Sequence, residues 1–197
     1  MDDAAQPAPD KRAIILGAAM AVFCRYGFRR TSMEDVARAA GMSRPAVYQH
    51  FRNKEAIARA LIVAYFDHAE AGMRAALAAP GSVSDRLGAA FAAKIGPEMA
   101  EVLDSPHGAE MIDIKTSLAA DLVADGIARL EAVLADWLTE EARAGRILLR
   151  DPPPEMARTM LRLLEALKDQ PFADFVPERD RLAALLAGGL VAGAPSG

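Results

Sequence analysis

The sequence predicts an all-α fold arranged as two helical domains. Three observations lead there. The 197 residues are 52% hydrophobic but only 6% aromatic. Ala and Leu, the strongest helix formers, dominate, and β-branched runs are scarce. Apolar residues also recur at spacings of three and four along most of the chain, and Gly, Pro, Ser and Asn fall where those patterns start and stop. The length suffices for a sizeable core in one large domain or two small ones. The expected organisation is a disordered, acidic, Pro-rich tail over residues 1–10, a compact three-helix head over 11–58, and a helical domain over 59–193.

Arg12 to Tyr26 reads as the first helix, with Ile15, Ala19, Val22, Phe23 and Tyr26 on one face. Gly27 follows where a left-handed residue is wanted, because it lacks the Cβ that makes that conformation costly. Thr31 and Glu34 form a capping box for a second helix, whose buried stripe is Met33, Val36, Ala37 and Ala40. Gly41 breaks that helix. Ser43 caps a short third one, with Pro45 tolerated because first-turn amides have no intrahelical partner. Val47 and Phe51 point inward. Asn53 caps a fourth helix with Ile57, Leu61, Ala64, Tyr65 and His68 on one face.

Beyond Ser82 the helices lengthen. Ser84 to Ile95 carries Leu87, Ala90, Phe91 and Ile95, and short elements broken by Gly and Pro follow. Ala119 to Arg143 reads as one long helix with Leu130, Leu134, Trp137 and Leu138 in its stripe. The run after Asp151 opens another, with Met156, Met160, Leu163, Leu164 and Leu167 as its apolar face. The stretch "QPFADFVPERD" reads as a loop, and a last helix runs from about Arg181 through Leu182, Leu185, Leu186 and Leu190.

The charge is unevenly spread. The net charge is −4, yet residues 11–59 hold ten Lys or Arg against three acids, so this segment is strongly basic within an acidic chain. That split points to nucleic acid as the partner of one segment only. The single cysteine, Cys24, excludes an internal disulfide and sits among apolar neighbours as a packing residue. The N-terminus lacks a signal-peptide pattern, and no run approaches the roughly 20 apolar residues of a membrane helix. A cytoplasmic protein without a membrane partner is expected. His50, His68 and His107 lie far apart with no supporting Cys or Asp spacing, so no metal and no cofactor is expected.

Two helices joined through Gly41, the second short and carrying Arg, Tyr, Gln and His, form a helix-turn-helix pattern. The major groove admits one α-helix, whose N-terminal residues meet base edges while the preceding helix crosses the backbone. Arg44 suits guanine and Gln49 adenine, while Pro45 and Ala46 offer apolar contact to a thymine methyl. Tyr48 and His50 can donate to phosphates. Lys54 sits in the first turn of the fourth helix, where its charge adds to free amides, and Thr31 holds the equivalent place on the second.

Residues 12–59 closely resemble the DNA-binding domain of the TetR family of transcriptional regulators. The elements "F-x-x-Y-G-F", "T-S-M-E-D-V-A", "A-G-M-S", "V-Y-Q-H-F" and "N-K-E-A-I" carry the resemblance, in the family's order and spacing. It implies that Arg44, Pro45, Ala46, Tyr48 and Gln49 face the groove, and that Thr31, Ser43, Tyr48, His50 and Lys54 meet phosphates of double-stranded operator DNA. It also implies a C-terminal helical domain that binds an effector and dimerises through its last two long helices. For the homodimer interface the residues are Met160, Leu163, Leu164, Leu167, Leu182, Leu185, Leu186 and Gly189. For an unknown small-molecule effector they are Phe91, Met99, Met111, Ile114, Lys115 and Trp137. Met suits such a pocket because it adapts to varied apolar shapes. The expected function is a ligand-released repressor acting as a dimer on a pseudo-palindromic operator. The alternative is a helical small-molecule-binding or scaffold dimer with a vestigial DNA head. An enzyme is not expected: no Gly-rich phosphate loop, nucleophile elbow or metal spacing occurs.

Overall fold

A computed structural model describes residues 10–191, apart from the side chains of Lys115 and Thr116. All regular elements among the described residues are helical. They are α1 (Lys11–Tyr26), α2 (Met33–Ala39), α3 (Arg44–Tyr48), α4 (Lys54–Ala78), α5 (Val83–Lys94), α6 (Ala100–Leu103), α7 (Gly108–Leu118), α8 (Ala120–Arg143), α9 (Pro153–Ala166) and α10 (Phe172–Val191). A short 3-10 turn, Pro97–Met99, precedes α6. The tail predicted over residues 1–10 lies almost wholly outside the described residues.

The chain divides into two compact units. One comprises residues up to Ile62 together with Ser105–Ala119, and the other comprises Val63–Asp104 together with the chain from Ala120 onward. Residues 105–119, read from sequence as part of the second domain, therefore belong to the head.

In the head, α1, α2, α3, the start of α4 and α7 share one core built on Ile15, Ala19, Phe23, Val36, Val47, Phe51, Ile57 and Ile114. Burying each of the larger of these side chains contributes about 1.5–3 kcal/mol. Phe23 and Phe28 meet edge to face with centroids 5.1 Å apart. Tyr26, expected on the inner face of α1, is exposed instead.

The start of α2 differs from expectation by one residue. Ser32, not Thr31, is the cap: its hydroxyl accepts from the Asp35 amide, and the Asp35 carboxylate accepts from the Ser32 amide. Hydrogen bonds from Ser32 hold the Asp35 carboxyl below its usual range. Thr31 turns back and donates its hydroxyl to the Gly27 carbonyl at 2.7 Å. At the other end, Met42 N–H bonds to Ala37 C=O and Gly41 N–H to Arg38 C=O. Gly41 has φ 64°, so a left-handed glycine reverses the chain into α3. Ser43 and Asn53 cap α3 and α4 as expected.

In the second unit, α10 lies along α5 and α8 along α9. The buried face of α4 here is Phe66, Ala69, Met73 and Leu77; Ala64 and His68, expected inside, are exposed. Gly126 of α8 meets Phe66 so closely that a Cβ on it would lie 2.2 Å from the ring. The segment read as a loop is helical, because α10 begins at Phe172 and passes through Pro177. Pro177, the sixth residue of the helix, removes one i→i−4 hydrogen bond and crowds the carbonyl of Ala173, a cost the packing must offset. Phe175 is fully buried there, and Arg179 donates to the Ile95 carbonyl at 3.1 Å, which together hold these turns in place.

Candidate nucleic-acid interface

The third helix presents a compact polar face. Arg44, Pro45, Tyr48 and Gln49 are exposed, Ala46 and His50 are half-buried, and only Val47 is fully inward. The Ser43 hydroxyl accepts from the Ala46 amide at 3.4 Å, so Ser43 sits at the mouth of the helix. Arg44 lies over the Tyr48 ring at 5.4 Å and donates to the Tyr48 hydroxyl at 3.5 Å. That bond is the main reason its guanidinium pKa is raised. Glu34 of α2 stands 3.9 Å from Arg44, a loose exposed ion pair that sequence reasoning had assigned to the cap. Arg44 thus rests against an aromatic ring and an acid from the neighbouring helix, both within its own head.

Two expected contacts have other occupations. Thr31 is only 3% exposed and its hydroxyl is committed to Gly27. Lys54 folds inward: its ammonium donates to the carbonyls of Phe28, Arg29 and Thr31 at 2.8, 3.1 and 3.0 Å, above the Phe28 ring at 4.6 Å. These three carbonyls lie in the turn between α1 and α2. Lys54 therefore staples that turn to the first turn of α4 rather than offering a free cation.

Sequence reading missed the contribution of α7. Ser105 donates to the Cys24 carbonyl at 2.5 Å and accepts from the His107 amide at 3.0 Å. The Glu110 carboxylate accepts from the Arg29 amide at 3.0 Å, and His107 Nδ1 lies 3.7 Å from the same carboxylate. Gly27 makes room for this pair; it has φ 84°, and a Cβ there would lie 2.6 Å from Glu110. The partners are 81 residues apart, and no local pattern announces them. Open clefts of about 400 and 490 Å³ flank this latch, both bordered by Arg30 and His107.

The six residues expected to line an effector pocket divide between the two units. Ile114 belongs to the head core, Met111 packs against that core, and the Lys115 side chain lies outside the described residues. Phe91, Met99 and Trp137 belong to the second unit, where Phe91 and Trp137 are buried and Met99 is half-buried. The expected dimer residues also divide. Met160 and Leu164 are interior to their unit, because α9 turns them inward with Ala157 and Leu161. Leu163 is 43% and Leu185 74% exposed, Gly189 is exposed, and Leu167, Leu182 and Leu186 are half-buried. Ala183, Ala187 and Leu190, with Phe175 and Arg179, form the inner face of α10, while Leu182, Leu185 and Leu186 lie off it. Among the described residues no group of three or more His, Cys, Asp or Glu is placed to hold a metal, and no helix is long and apolar enough to cross a membrane.

Comparison with known proteins agrees with this geometry. Residues 15–61 match the family described as "Bacterial regulatory proteins, tetR family". The chain is 34% identical over 111 residues to the HTH-type transcriptional repressor ComR of Escherichia coli, covering 56% of this chain and 52% of that one. It is 34% identical over 87 residues to the HTH-type transcriptional activator FasR of Mycolicibacterium smegmatis, covering 44% and 40%. The matched stretches thus span about half the length of these relatives or less. The fold is shared more widely. The fatty acid degradation regulator FadR of Bacillus halodurans superposes with a TM-score of 0.74 at 17% identity, over 94% of this chain and 98% of that one. The reduced form of E. coli NemR superposes with a TM-score of 0.73 at 16% identity, over 95% and 100%. By sequence, residues 15–61 are similar to the tetR family of bacterial regulatory proteins, and the helical fold of the chain as a whole is shared with these solved structures.

Proposed function

We propose that the protein is a sequence-specific DNA-binding repressor that acts as a homodimer on a pseudo-palindromic operator and is released by a small-molecule effector. The observation that carries the reading is the exposed face of α3, where Arg44, Tyr48 and Gln49 stand clear of the core on a helix fixed by Val47 and Phe51. Arg44 reads a guanine, Gln49 an adenine, and Pro45 and Ala46 touch a thymine methyl; Ser43, Tyr48 and His50 meet the flanking phosphates. Thr31 and Lys54 act indirectly, by fixing the turn between α1 and α2. Repression is favoured over activation because the similarity to ComR extends over more of this chain than that to FasR.

Dimerisation uses the outward leucines of α9 and α10, chiefly Leu163 and Leu185, with Gly189 allowing close approach to a two-fold mate. The dimer then sets two α3 helices about one DNA turn apart, roughly 34–36 Å. An effector shifts the balance between reading and non-reading arrangements by no more than its differential affinity for them.

The test is selection from random duplex DNA by wild type and by the Arg44→Ala, Tyr48→Ala double variant, across a salt series. A palindrome enriched by wild type alone, with affinity falling steeply as salt rises, is the expected result. A palindrome recovered equally by the double variant would remove α3 as the reader.

A further inference from the structure

Among the described residues of the second unit, three buried N–H groups have no hydrogen-bond acceptor, the Trp137 indole Nε1, the Arg86 Nε and the Arg129 Nε; the last is ion-paired with Asp125 at 3.3 Å. Trp137, on α8, is only 5% exposed, and the Arg86 guanidinium, from α5, lies over its ring at 5.4 Å. The other two nitrogens of that guanidinium are both bonded. Its Nη1 donates to Glu141 at 3.1 Å and contacts the Leu77 carbonyl at 3.4 Å, and its Nη2 bonds to the second Glu141 oxygen. Arg146 grips the same carboxylate from the other side, with two bonds of 2.7 Å. Arg86 is therefore held rigidly, with one donor left over beside a second leftover donor.

A buried donor left unpaired loses its hydration without compensation, so buried polar groups nearly always find partners. Here both orphans are donors, and the only acid in their cluster, Glu141, is shared by two arginines. The cluster Arg86, Arg146 and Glu141 carries one net positive charge. What complements two N–H groups and a surplus positive charge is an oxygen acceptor, best of all an anionic one. The Arg86 guanidinium over the Trp137 ring makes these two donors neighbours in one buried cluster. The flanking turns of α8 contribute Leu134 and Leu138, both fully buried, so the body of such a molecule meets an apolar setting.

We propose that Trp137 and Arg86 form the polar anchor of a small-molecule site that takes an apolar monocarboxylate, its carboxylate accepting from the indole Nε1–H and the Arg86 Nε–H. This rests on the proposed ligand-responsive regulator and gives the chemical class of its effector.

Trp137 is the single tryptophan of the chain, so its fluorescence reports on the site directly. The full-length protein is titrated with benzoate and hexanoate, and with benzylamine and hexylamine as matched apolar cations, while emission and thermal midpoint are followed. The expected result is that the carboxylates shift Trp137 emission and raise the midpoint, while the amines do neither. Trp137→Phe keeps a ring but loses the donor. It should fold with an unchanged or higher midpoint and bind the carboxylates at least ten-fold more weakly by calorimetry. No response to either carboxylate, an equal response to the amines, or undiminished binding by Trp137→Phe would overturn the site. Retention of the selected operator is read in the same samples. Carboxylate binding that leaves DNA retention unchanged would refute ligand release but keep the site. Loss of the site with DNA binding intact would leave the reader standing.

Discussion

Replacing Lys54 with Met tests whether this residue is a staple or a phosphate contact. Methionine keeps most of the length and still packs on Phe28, but it removes three N–H donors and one charge. Two of the three bonds, to Phe28 and Thr31, are partly buried and the third is exposed. Hydrogen bonds to a charged donor contribute about 1.5–3 kcal/mol each when buried and little at the surface, and methionine recovers part of the loss through packing. The expected destabilisation is about 2–4 kcal/mol, measured by urea unfolding. DNA binding is then measured at several salt concentrations at a temperature where the variant stays folded. A lost phosphate contact flattens the plot of log affinity against log salt by about 0.9. A lost staple weakens binding but leaves that slope unchanged. A slope flatter by about 0.9, together with a stability change below about 0.5 kcal/mol, would show that the inward geometry of Lys54 does not govern its role.

Three further outcomes follow from the same structure. Gly126→Ala gains about 1 kcal/mol of helix propensity but must displace the buried Phe66 ring, so a net loss of about 1–3 kcal/mol is expected in thermal unfolding; a more stable variant would contradict the close approach. Leu185→Glu should give a monomer by sedimentation with unchanged helicity, and a persistent dimer would move the interface elsewhere. Arg146 and Arg86 hold the Glu141 carboxyl down to about 2, against an ordinary value of 4.5. A depressed acid stabilises the fold above its unfolded pKa. Roughly 3 kcal/mol should therefore be lost as pH falls from about 4.5 to 2, and Glu141→Gln should flatten that part of the stability curve.

The helix-turn-helix was legible because its signals are local. Gly41, Ser43 and the Val47–Phe51 pair lie within eleven residues and need no distant partner to act. The cap of α2 was misplaced because Thr31 with Glu34 and Ser32 with Asp35 satisfy the same pattern one residue apart. What decides between them is the turn at Gly27, which claims the Thr31 hydroxyl. The stretch "QPFADFVPERD" read as a loop, yet burial of Phe175 and the Arg179 bond to Ile95 keep Pro177 within a helix. Lys54 looked free because its three carbonyl partners lie 23 to 26 residues away, beyond any helical periodicity. The same limit hid Glu110 and Ser105. Their partners are single backbone groups, which leave no trace in side-chain patterning. The leucines of α9 and α10 were recognised as apolar faces, but periodicity alone could not say which of them face the unit's own interior.

The interleaved chain path of the head has a practical consequence for building chimaeras. Its core includes Ile114, the end of α1 is tied down by Ser105 and the α1–α2 turn by Glu110, all encoded 43 residues or more after Ile62. A graft that exchanges readers by cutting near residue 60 would carry the α3 face but leave its buttress with the donor. Transplanting DNA specificity intact means moving two separate stretches of the gene, residues 10–62 and 105–119, as one cassette.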